Sequence, residues 1–371
     1  MGLTDFIYPG ALHTRFHHAL GAMHLMDKTL TSLRARGHMI FDAEYEAAII
    51  AILLHDIGHG PFSHTLEFSL FKDINHEKIT LWALNQLNQE FGGRLNMAIQ
   101  VFQGRYPRKF LGQLVSSQLD MDRLDYLQRD CFFTGVNEGK IGAERIIEML
   151  DLVDDELVVE EKAIYSIENF LSARRLMYWQ VYLHKTAISA ERMLIEIIKR
   201  AKDLRQEGKN VTATPALSIF LERNIDENDF EEDPDLLQVF MQMDDTDIWG
   251  SIKFWVNHED LVLSTLCSML LNRNLLQVKL SSEKIEKELY EELLGKVSSS
   301  LKITQEEAKH FVKRGKVTNS AYLPSDQSIK VKLKNGTITD VALATDLPNI
   351  KAMSKIVEKQ YICWPKNIPL N

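Results

Sequence analysis

The strongest constraint on the fold is a helical spacing of apolar residues that persists through most of the chain. Apolar side chains recur three and four residues apart in segments such as HEKITLWALNQLNQEF and KTAISAERMLIEIIKRAKDLR. This spacing places them on one face of an amphipathic helix. Because it continues to about residue 300, we expect a mainly α protein whose packed helices bury these faces.

The C-terminal segment follows a different pattern. Apolar and polar residues alternate in QSIKVKLKNGTITDVALAT, on both sides of Asn335-Gly336. Alternation is typical of strands, and Asn-Gly is a strong signal for a hairpin turn. A second short hairpin is predicted at 154–166, and the acidic segment 224–235 is expected to be a solvated loop. We therefore predict a small α+β region at 301–371 that follows the helical body.

Length and composition fit a globular protein of one or two domains. The chain has 371 residues, 45% of them apolar and 26% charged. It shows no signal peptide and no apolar run approaching the roughly 18 residues of a membrane span. The three widely separated cysteines predict no disulfide framework, so the expected compartment is the cytoplasm. We divide the chain into a core at 1–200, a helical extension at 201–300 and the α+β region.

The charge of the chain restricts its partners. The formal net charge of −9 disfavours general nucleic-acid binding. Basic residues cluster at 104–110 and 309–316, where such clusters are more often solvated surface than binding sites. An anionic small molecule needs only a few positioned cations, so the net charge leaves a phosphate-bearing ligand open.

Chemically active residues concentrate in LLHDIGHGPFSHTLE, residues 53–67. His55 and Asp56 are adjacent and cannot face the same way on a regular helix. They can converge on one ion only where the helix ends, and Gly58 and Gly60 supply that end. Imidazole and carboxylate together suit a transition-metal ion. Alone, the segment fits a metal centre, an acid–base site or an ordinary helix end.

Two other segments offer the remaining ligands of such a site. The upstream and downstream candidates are His13, His17, His18, His24, Asp120, Asp122, Asp125 and Asp130. On a helix, Asp122, Tyr126 and Asp130 would share one face. That face is either part of a site or a solvated stripe.

In this order the segments resemble the HD-domain metal-dependent phosphohydrolases. The blocks similar to the deoxynucleoside triphosphate triphosphohydrolase branch are YPGALHTRFHHALG, LLHDIGHGPFSH, NHEK and DMDRLDYLQRD. That branch includes the vertebrate protein that combines a sterile-alpha-motif domain with an HD domain. The similarity runs from residue 8 to about residue 190. It implies an HD-domain helical bundle as the core at 1–200.

The resemblance also implies a metal centre. His18, His55, Asp56 and Asp122 match the ligands of the family. His17 stands where relatives often have an acid and is expected to be a neighbour of the centre. Two histidines and two carboxylates would accept iron, manganese, nickel, zinc or magnesium as the divalent ion.

Further histidines are implied to handle protons and phosphate. His59, His64 and His76 match family residues on the phosphate side, one of which protonates the leaving oxygen. An imidazole suits this work because its unperturbed pKa lies near neutral pH. Glu67 is expected to orient His64, where the family commonly has an Asp. The alternative is that these histidines only fix the loop through hydrogen bonds.

The implied substrate-binding residues are Arg15, Arg123, Tyr126, Asp130, Arg174, Tyr178 and Tyr182. The arginines would meet phosphate, for which a guanidinium fork is suited. The Tyr126 ring would pack near C2′ and exclude a ribose 2′-hydroxyl, while Asp130 would accept from the 3′-hydroxyl. Tyr178 stands where relatives have a histidine, and the alternative for 174–182 is an aromatic core stripe.

The implied activity is hydrolysis of a deoxynucleoside triphosphate to deoxynucleoside and triphosphate. The alternatives are a phosphohydrolase or phosphodiesterase for another nucleotide, or a nucleotide-sensing scaffold with weak turnover. The expected partners are a nucleotide and further copies of the chain, with no membrane and no nucleic acid. Relatives also have a helix ahead of the YPGA block that contacts sugar and base. Since this sequence starts at Met1, just before that block, we expect either that the sequence is truncated or that the protein has a different nucleoside pocket.

Overall fold

The computed structural model describes residues 2–71, 73–319, 322, 328–346 and 356–369. Helices dominate and confirm the predicted mainly α class. The helices are α1 Arg15–Ala35, α2 Asp42–Leu54, α3 Glu67–Leu70, α4 His76–Glu90, α5 Asn96–Phe102, α6 Lys109–Val115, α7 Met121–Thr134, α8 Ala143–Glu148, α9 Ile164–Met177, α10 Lys185–Gln206, α11 Pro215–Glu222, α12 Glu227–Glu232, α13 Pro234–Met241, α14 Asp245–Trp255, α15 Leu261–Leu271, α16 Lys287–Leu301, α17 Gln305–Ala308 and α18 Val341–Ala344. A π-helical turn, Tyr178–Tyr182, follows α9.

Strands form two small sheets. They are β1 Leu150–Val153, β2 Glu156–Glu160, β3 Gln277–Ser281, β4 Lys313–Asn319, β5 Lys330–Lys332, β6 Ile338–Asp340 and β7 Val357–Trp364. One sheet has the order β1-β2-β5-β6, with β2 and β5 parallel, and the other has the antiparallel order β3-β7-β4. The C-terminal strands therefore pair with strands from both earlier parts of the chain.

The predicted C-terminal hairpin is confirmed. Strands β5 and β6 are antiparallel, with Lys330 opposite Asp340. Gly336 adopts φ +85° in the connecting turn, a conformation that glycine accepts without steric cost. The earlier hairpin, β1–β2, turns at Asp154-Asp155 and ends at Glu160, so it lies slightly before the predicted range.

Two predictions in the extension are wrong. The acidic segment 224–235 contains helix α12, because Asp226 and Asp229 form a reciprocal capping box and Phe230 is buried. The helical body is also interrupted before residue 300 by β3, which pairs with β7. That partner lies some eighty residues downstream (357 − 277), beyond the reach of local periodicity.

Apolar residues form two main cores. The first core is built on α1, α2, α5 to α9 and the sheet that contains β2, with Ala22, Ile52 and Leu124 among its members. The second core is built on α10 to α16 and the sheet that contains β3, and it also takes in Phe62 and Leu66. C-terminal residues contribute to both cores, so the cores do not coincide with the three predicted domains. The predicted boundaries at 200 and 300 therefore stay predictions. Among the described helices, none is long and apolar enough to cross a membrane.

Candidate active site

Helix α1 carries the first candidate ligand, His18, one turn inside its N-terminus. Thr14 caps the helix: its hydroxyl accepts from the backbone N–H of His17 at 3.4 Å, and His17 Nδ1 accepts from the Thr14 N–H at 3.2 Å. This places His17 at the exposed cap and turns His18 inward, where it is buried. His18 Nδ1 donates to the Asp125 carboxylate at 2.7 Å, which leaves Nε2 available as a ligand.

Helix α2 ends immediately before His55-Asp56. His55 Nδ1 donates to the Ile52 carbonyl at 2.6 Å, so its Nε2 faces the site. The chain then turns at Gly58, where a Cβ would lie 2.2 Å from the backbone nitrogen of Thr80. Because the helix stops here, the adjacent His55 and Asp56 side chains reach the same point, as the glycine spacing predicts.

Asp122, in the first turn of α7, joins the same cluster. Its Oδ1 lies 3.0 Å from His18 Nε2 and 3.6 Å from His55 Nε2. Asp56 contributes Oδ1 at 3.4 Å from His55 Nε2 and Oδ2 at 3.9 Å from His18 Nε2. The two histidines, separated from Asp122 by up to 104 positions (122 − 18) in sequence, thus each lie near both carboxylates, and His18, His55 and Asp56 form a group that could hold a metal ion.

This cluster fits a divalent metal ion. An ion bound at about 2.0–2.2 Å separates neighbouring ligand atoms by roughly 3 Å and opposite ones by roughly 4 Å. His55 Nε2 is buried and has no hydrogen-bond partner among the described residues, an unusual state for a polar atom unless it binds something else. Two imidazoles and two carboxylates are an appropriate donor set for the transition metals and magnesium.

The electrostatics keep the carboxylates ionised. Burial disfavours the charge of Asp56, but His55 and Arg15 outweigh it and hold the pKa of that carboxyl below its usual range. Burial acts likewise on Asp122, whose pKa is nevertheless lowered by His18 and His55. Among the protein groups alone, burial opposes the His18 charge, yet the neighbouring carboxylates raise the pKa of His18 to about 10. Metal binding would therefore release a proton from His18.

Three further histidines form a second group beside the ligands. The rings of His59 and His76 stack with centroids 3.8 Å apart, and His64 stands edge-on to His59 at 4.7 Å. Glu67 accepts from His64 Nδ1 at 2.9 Å and from His76 Nδ1 at 2.6 Å. A single carboxylate therefore orients two of the rings, whereas sequence spacing indicated only its contact with His64. His59 Nε2 lies 3.6 Å from Asp56.

The histidines differ in their access to solvent. The side chain of His64 is 68% exposed, whereas that of His59 is 3% exposed. Burial, followed by the charges of Arg15 and His76, holds the pKa of His59 well below its usual range. His59 is thus neutral near neutral pH, and His64 is better placed to exchange protons with solvent.

The loop between His59 and His64 has an uncommon backbone. Phe62 and Ser63 adopt φ values of +53° and +52°, in the left-handed region. For residues other than glycine this costs on the order of 1–3 kcal/mol each. The Phe62 N–H donates to Asp245 Oδ1 at 2.8 Å, and the Ser63 hydroxyl accepts from Arg15 Nε at 2.8 Å.

The predicted phosphate-binding arginines lie at the edge of the cluster. Arg15 pairs with the ligand Asp56 through Nη1. Arg123, next to the ligand Asp122, donates from Nε to the Ser117 carbonyl at 2.6 Å. Both guanidinium groups retain further N–H donors for an anion.

The predicted substrate-binding aromatic residues gather on the α7 side of the cluster. The Tyr182 hydroxyl donates to Asp130 at 2.6 Å, and the Tyr182 ring contacts Tyr126 and Tyr178 edge-on at 6.4 and 5.1 Å. The Tyr126 hydroxyl is buried and meets no hydrogen-bond geometry with the part of the chain that the structure describes. Arg174 donates to Gln118 at 3.2 Å. The spacing of 174–182 predicts one regular helix, but α9 ends at Met177 and Tyr178–Tyr182 is π-helical.

Several supporting residues were not assigned by sequence. His13 binds the second Asp130 oxygen through Nε2 at 2.7 Å and stacks on Phe133 with centroids 4.6 Å apart. Asp125, the partner of His18, lies three residues after Asp122, and helical spacing could have indicated a shared face. Asp245 lies 183 residues from Phe62, so no local pattern connects them.

The ligand cluster opens into a cleft of about 470 Å³. Its wall includes His55, Asp56 and Asp122 together with the N-terminus of α4 and Arg105. Metal ligands exposed to a cleft leave room for a substrate oxygen and for water.

Comparisons with known proteins identify the family of the chain. The HD domain matches residues 15–130, and the HD associated region matches residues 141–214. A mainly α fold in which a histidine, a His-Asp pair and a distant aspartate converge defines the class of HD-domain proteins. The chain belongs to the HD-domain phosphohydrolase family.

Three relatives illustrate the range of similarity. The crystal structure of a phosphohydrolase from Bacteroides thetaiotaomicron is 52% identical, with a TM-score of 0.94 over 98% of this chain and 90% of that one. The uncharacterized protein YwfO of Bacillus subtilis is 35% identical over 75% of this chain and 63% of its own length. The Dictyostelium discoideum protein named deoxynucleoside triphosphate triphosphohydrolase SAMHD1 homolog is 28% identical over 54% of this chain and 43% of its own length. The chain thus spans less than two thirds of the Bacillus subtilis protein.

Proposed function

We propose that this chain is a metal-dependent phosphohydrolase that cleaves deoxynucleoside triphosphates to deoxynucleoside and triphosphate. The observation that carries this proposal is that two histidines and two carboxylates lie 3.0–3.9 Å from each other beside a cleft: His18 and His55 on one side, Asp56 and Asp122 on the other. These four residues would hold a divalent ion. The ion would supply Lewis acidity toward a phosphoryl oxygen and toward water.

The surrounding residues provide charge compensation and proton transfer. Arg15 and Arg123 would neutralise phosphate charge that develops as water attacks the α-phosphorus. The bond to the 5′-oxygen then breaks, and this oxygen needs a proton to leave as a hydroxyl. His64 is the proposed donor through Nε2, because Glu67 holds its Nδ1–H at 2.9 Å and solvent can reprotonate it.

Substrate choice is proposed to reside on the α7 side. The Tyr126 ring would lie against C2′ of the sugar, where a ribose hydroxyl would clash. Asp130, held by His13 and Tyr182, would accept a hydrogen bond from the 3′-hydroxyl. The printed name of the Dictyostelium discoideum relative, a deoxynucleoside triphosphate triphosphohydrolase homolog, supports this substrate class.

The test is product analysis with each dNTP and each NTP. Purified protein is loaded with Mn²⁺ and incubated with the nucleotides, and the products are separated by ion-exchange chromatography. We expect deoxynucleoside and triphosphate from dNTPs, with at least about tenfold slower release from the matching NTPs, in the range of steric discrimination. Release of only monophosphate or pyrophosphate would contradict the triphosphohydrolase proposal and indicate another phosphohydrolase.

Two further properties belong to this proposal. The resident ion is iron, manganese, nickel, zinc or magnesium, and elemental analysis of protein purified without added metal identifies it. We also expect a homo-oligomer, which light scattering coupled to gel filtration measures directly. A monomer across the working concentration range would contradict that expectation.

A further inference from the structure

The loop between His59 and His64 depends on a contact from outside the HD domain. Phe62 and Ser63 are consecutive residues in the left-handed region, at φ +53° and +52°. Neither is glycine, so local preference does not maintain this conformation. The surrounding structure must therefore hold it.

Helix α14, in the helical extension, provides that support. Asp245, its first residue, accepts from the Phe62 N–H through Oδ1 at 2.8 Å. Trp249, one turn later, packs edge-on against the buried Phe62 ring at 5.6 Å between centroids. The contact with Asp245 is polar and directional, whereas the contact with Trp249 is apolar.

The supported backbone leads directly into the site. The residue after Phe62 is Ser63, whose hydroxyl accepts from Arg15 Nε at 2.8 Å. Arg15 in turn pairs with the ligand Asp56. His64 follows at the next position, so the direction of its side chain depends on the same two backbone conformations.

We propose that Asp245 is a positioning residue of the active site. Its carboxylate holds the Phe62 N–H and thereby aligns the Ser63 hydroxyl with Arg15 and the His64 ring with His59 and His76. Asp245 touches neither the ligand cluster nor the histidine rings among the described contacts, so it acts through the loop. This inference rests on the proposed function, because alignment matters only if Arg15 and His64 act on a substrate.

The test compares three variants of the full-length chain. Asp245→Ala removes the acceptor, and Asp245→Asn keeps an oxygen in the same place without the charge. Asp235→Ala is the matched control, because Asp235 is also an exposed acid in the first turn of a short helix, α13. Both alanine variants lose the interaction of an acid with the helix dipole, but only one loses the loop contact. Because Asp245 is exposed, its removal opens no cavity.

The first readout is amide hydrogen exchange in peptides that cover residues 59–66. We expect faster exchange in Asp245→Ala, and protection close to that of the unsubstituted protein in Asp245→Asn and Asp235→Ala. The second readout is steady-state hydrolysis of dGTP by the manganese-loaded protein. For Asp245→Ala we expect kcat to fall about tenfold or more, with KM within roughly threefold and metal content unchanged.

Rescue by asparagine separates positioning from helix stability. Equal losses in Asp245→Ala and Asp235→Ala would overturn the proposal, as would an asparagine variant as slow as the alanine variant. Unchanged exchange at 59–66 in Asp245→Ala would overturn it as well. If the unsubstituted protein turned over no dNTP, the proposed function would fail separately, and the exchange comparison would then decide whether Asp245 holds the loop.

Discussion

The two halves of the candidate site rest on different cores and are held in different ways. His18, His55 and Asp122 belong to the helices or helix ends of the first core. The loop that leads to His64 packs through Phe62 into the second core. The metal half consists of His18, His55, Asp56 and Asp122 and combines regular helix termini with hydrogen-bonded imidazoles. The histidine half consists of His59, His64 and His76, and its His64 follows a left-handed backbone held by a distant carboxylate. The positions of the candidate ligands are thus set within the HD domain, whereas the position of His64 also depends on the helical extension.

We expect one substitution in the metal half to abolish both metal binding and hydrolysis. Asp122→Ala removes the oxygen that lies near both ligand histidines. We expect loss of bound metal by elemental analysis and a fall in hydrolysis on the order of 10³-fold or more. Asp42→Ala, at an exposed acid of α2, is the control and should keep both. Retained metal with lost activity would place Asp122 outside the ligand set.

A substitution behind the ligands should weaken the metal half without abolishing it. Asp125→Asn replaces the carboxylate that accepts from His18 Nδ1. Loss of such a supporting contact typically lowers metal affinity about 10–100-fold. We expect activity to recover at high Mn²⁺ in a titration, unlike that of Asp122→Ala. Failure of excess metal to restore activity would mean that Asp125 does more than orient His18.

A substitution that disturbs the histidine half should lower turnover and leave the metal content unchanged. Glu67→Gln substitutes an amide for the carboxylate that orients His64 and His76. Because a neutral amide orients an imidazole less strongly, we expect kcat to fall roughly tenfold or more, within the range for proton-transfer groups. Elemental analysis should show unchanged metal. A parallel loss of metal would show that the two halves are coupled and not separately supported.

The smallest effect concerns stability of the second core alone. Burial outweighs the attraction of Arg192 and raises the pKa of Glu191, on α10, to about 7. The native state then holds a proton that the unfolded chain has lost above about pH 4.5, so unfolding free energy falls as pH rises toward 7. Glu191→Gln should remove this slope and stabilise the protein by on the order of 2 kcal/mol at pH 8.

Denaturant unfolding at pH 5 and pH 8 measures this effect. Glu90→Gln, at an exposed acid of α4, is the control and should leave the pH dependence unchanged. Metal content should not change in either variant, because Glu191 does not belong to the ligand cluster. A pH slope that persists in Glu191→Gln would assign the dependence to other groups.

The candidate ligands of the metal half were predictable only through the family resemblance, since they lie up to 104 positions (122 − 18) apart in sequence. The glycines after His55-Asp56 indicated a helix end, and the spacing on α7 indicated that Asp122, Tyr126 and Asp130 share a face. The structure brings His55 and Asp122 together with His18. The roles of His13 and Asp245 were not predictable, because each acts through a contact with a residue more than one hundred positions away.

For the fold as well, local features were predictable from sequence and long-range features were not. Periodicity predicted the α class, and Asn335-Gly336 predicted the hairpin, because both follow from the backbone preferences of neighbouring residues. The position of β3 and the helix at 227–232 were missed. β3 exists through pairing with a distant strand, and α12 is stabilised partly by burial of Phe230.

The sequence alone thus determined the helical class and the family resemblance, since these depend on residue types at fixed spacings, and the resemblance implied the four residues expected to hold a metal. Only the tertiary structure decided which cores support the two halves and how Asp245 reaches the loop. The reason is physical: periodicity and capping act over one or two helical turns, whereas the support of Phe62 and the pairing of β3 are formed when distant segments pack together.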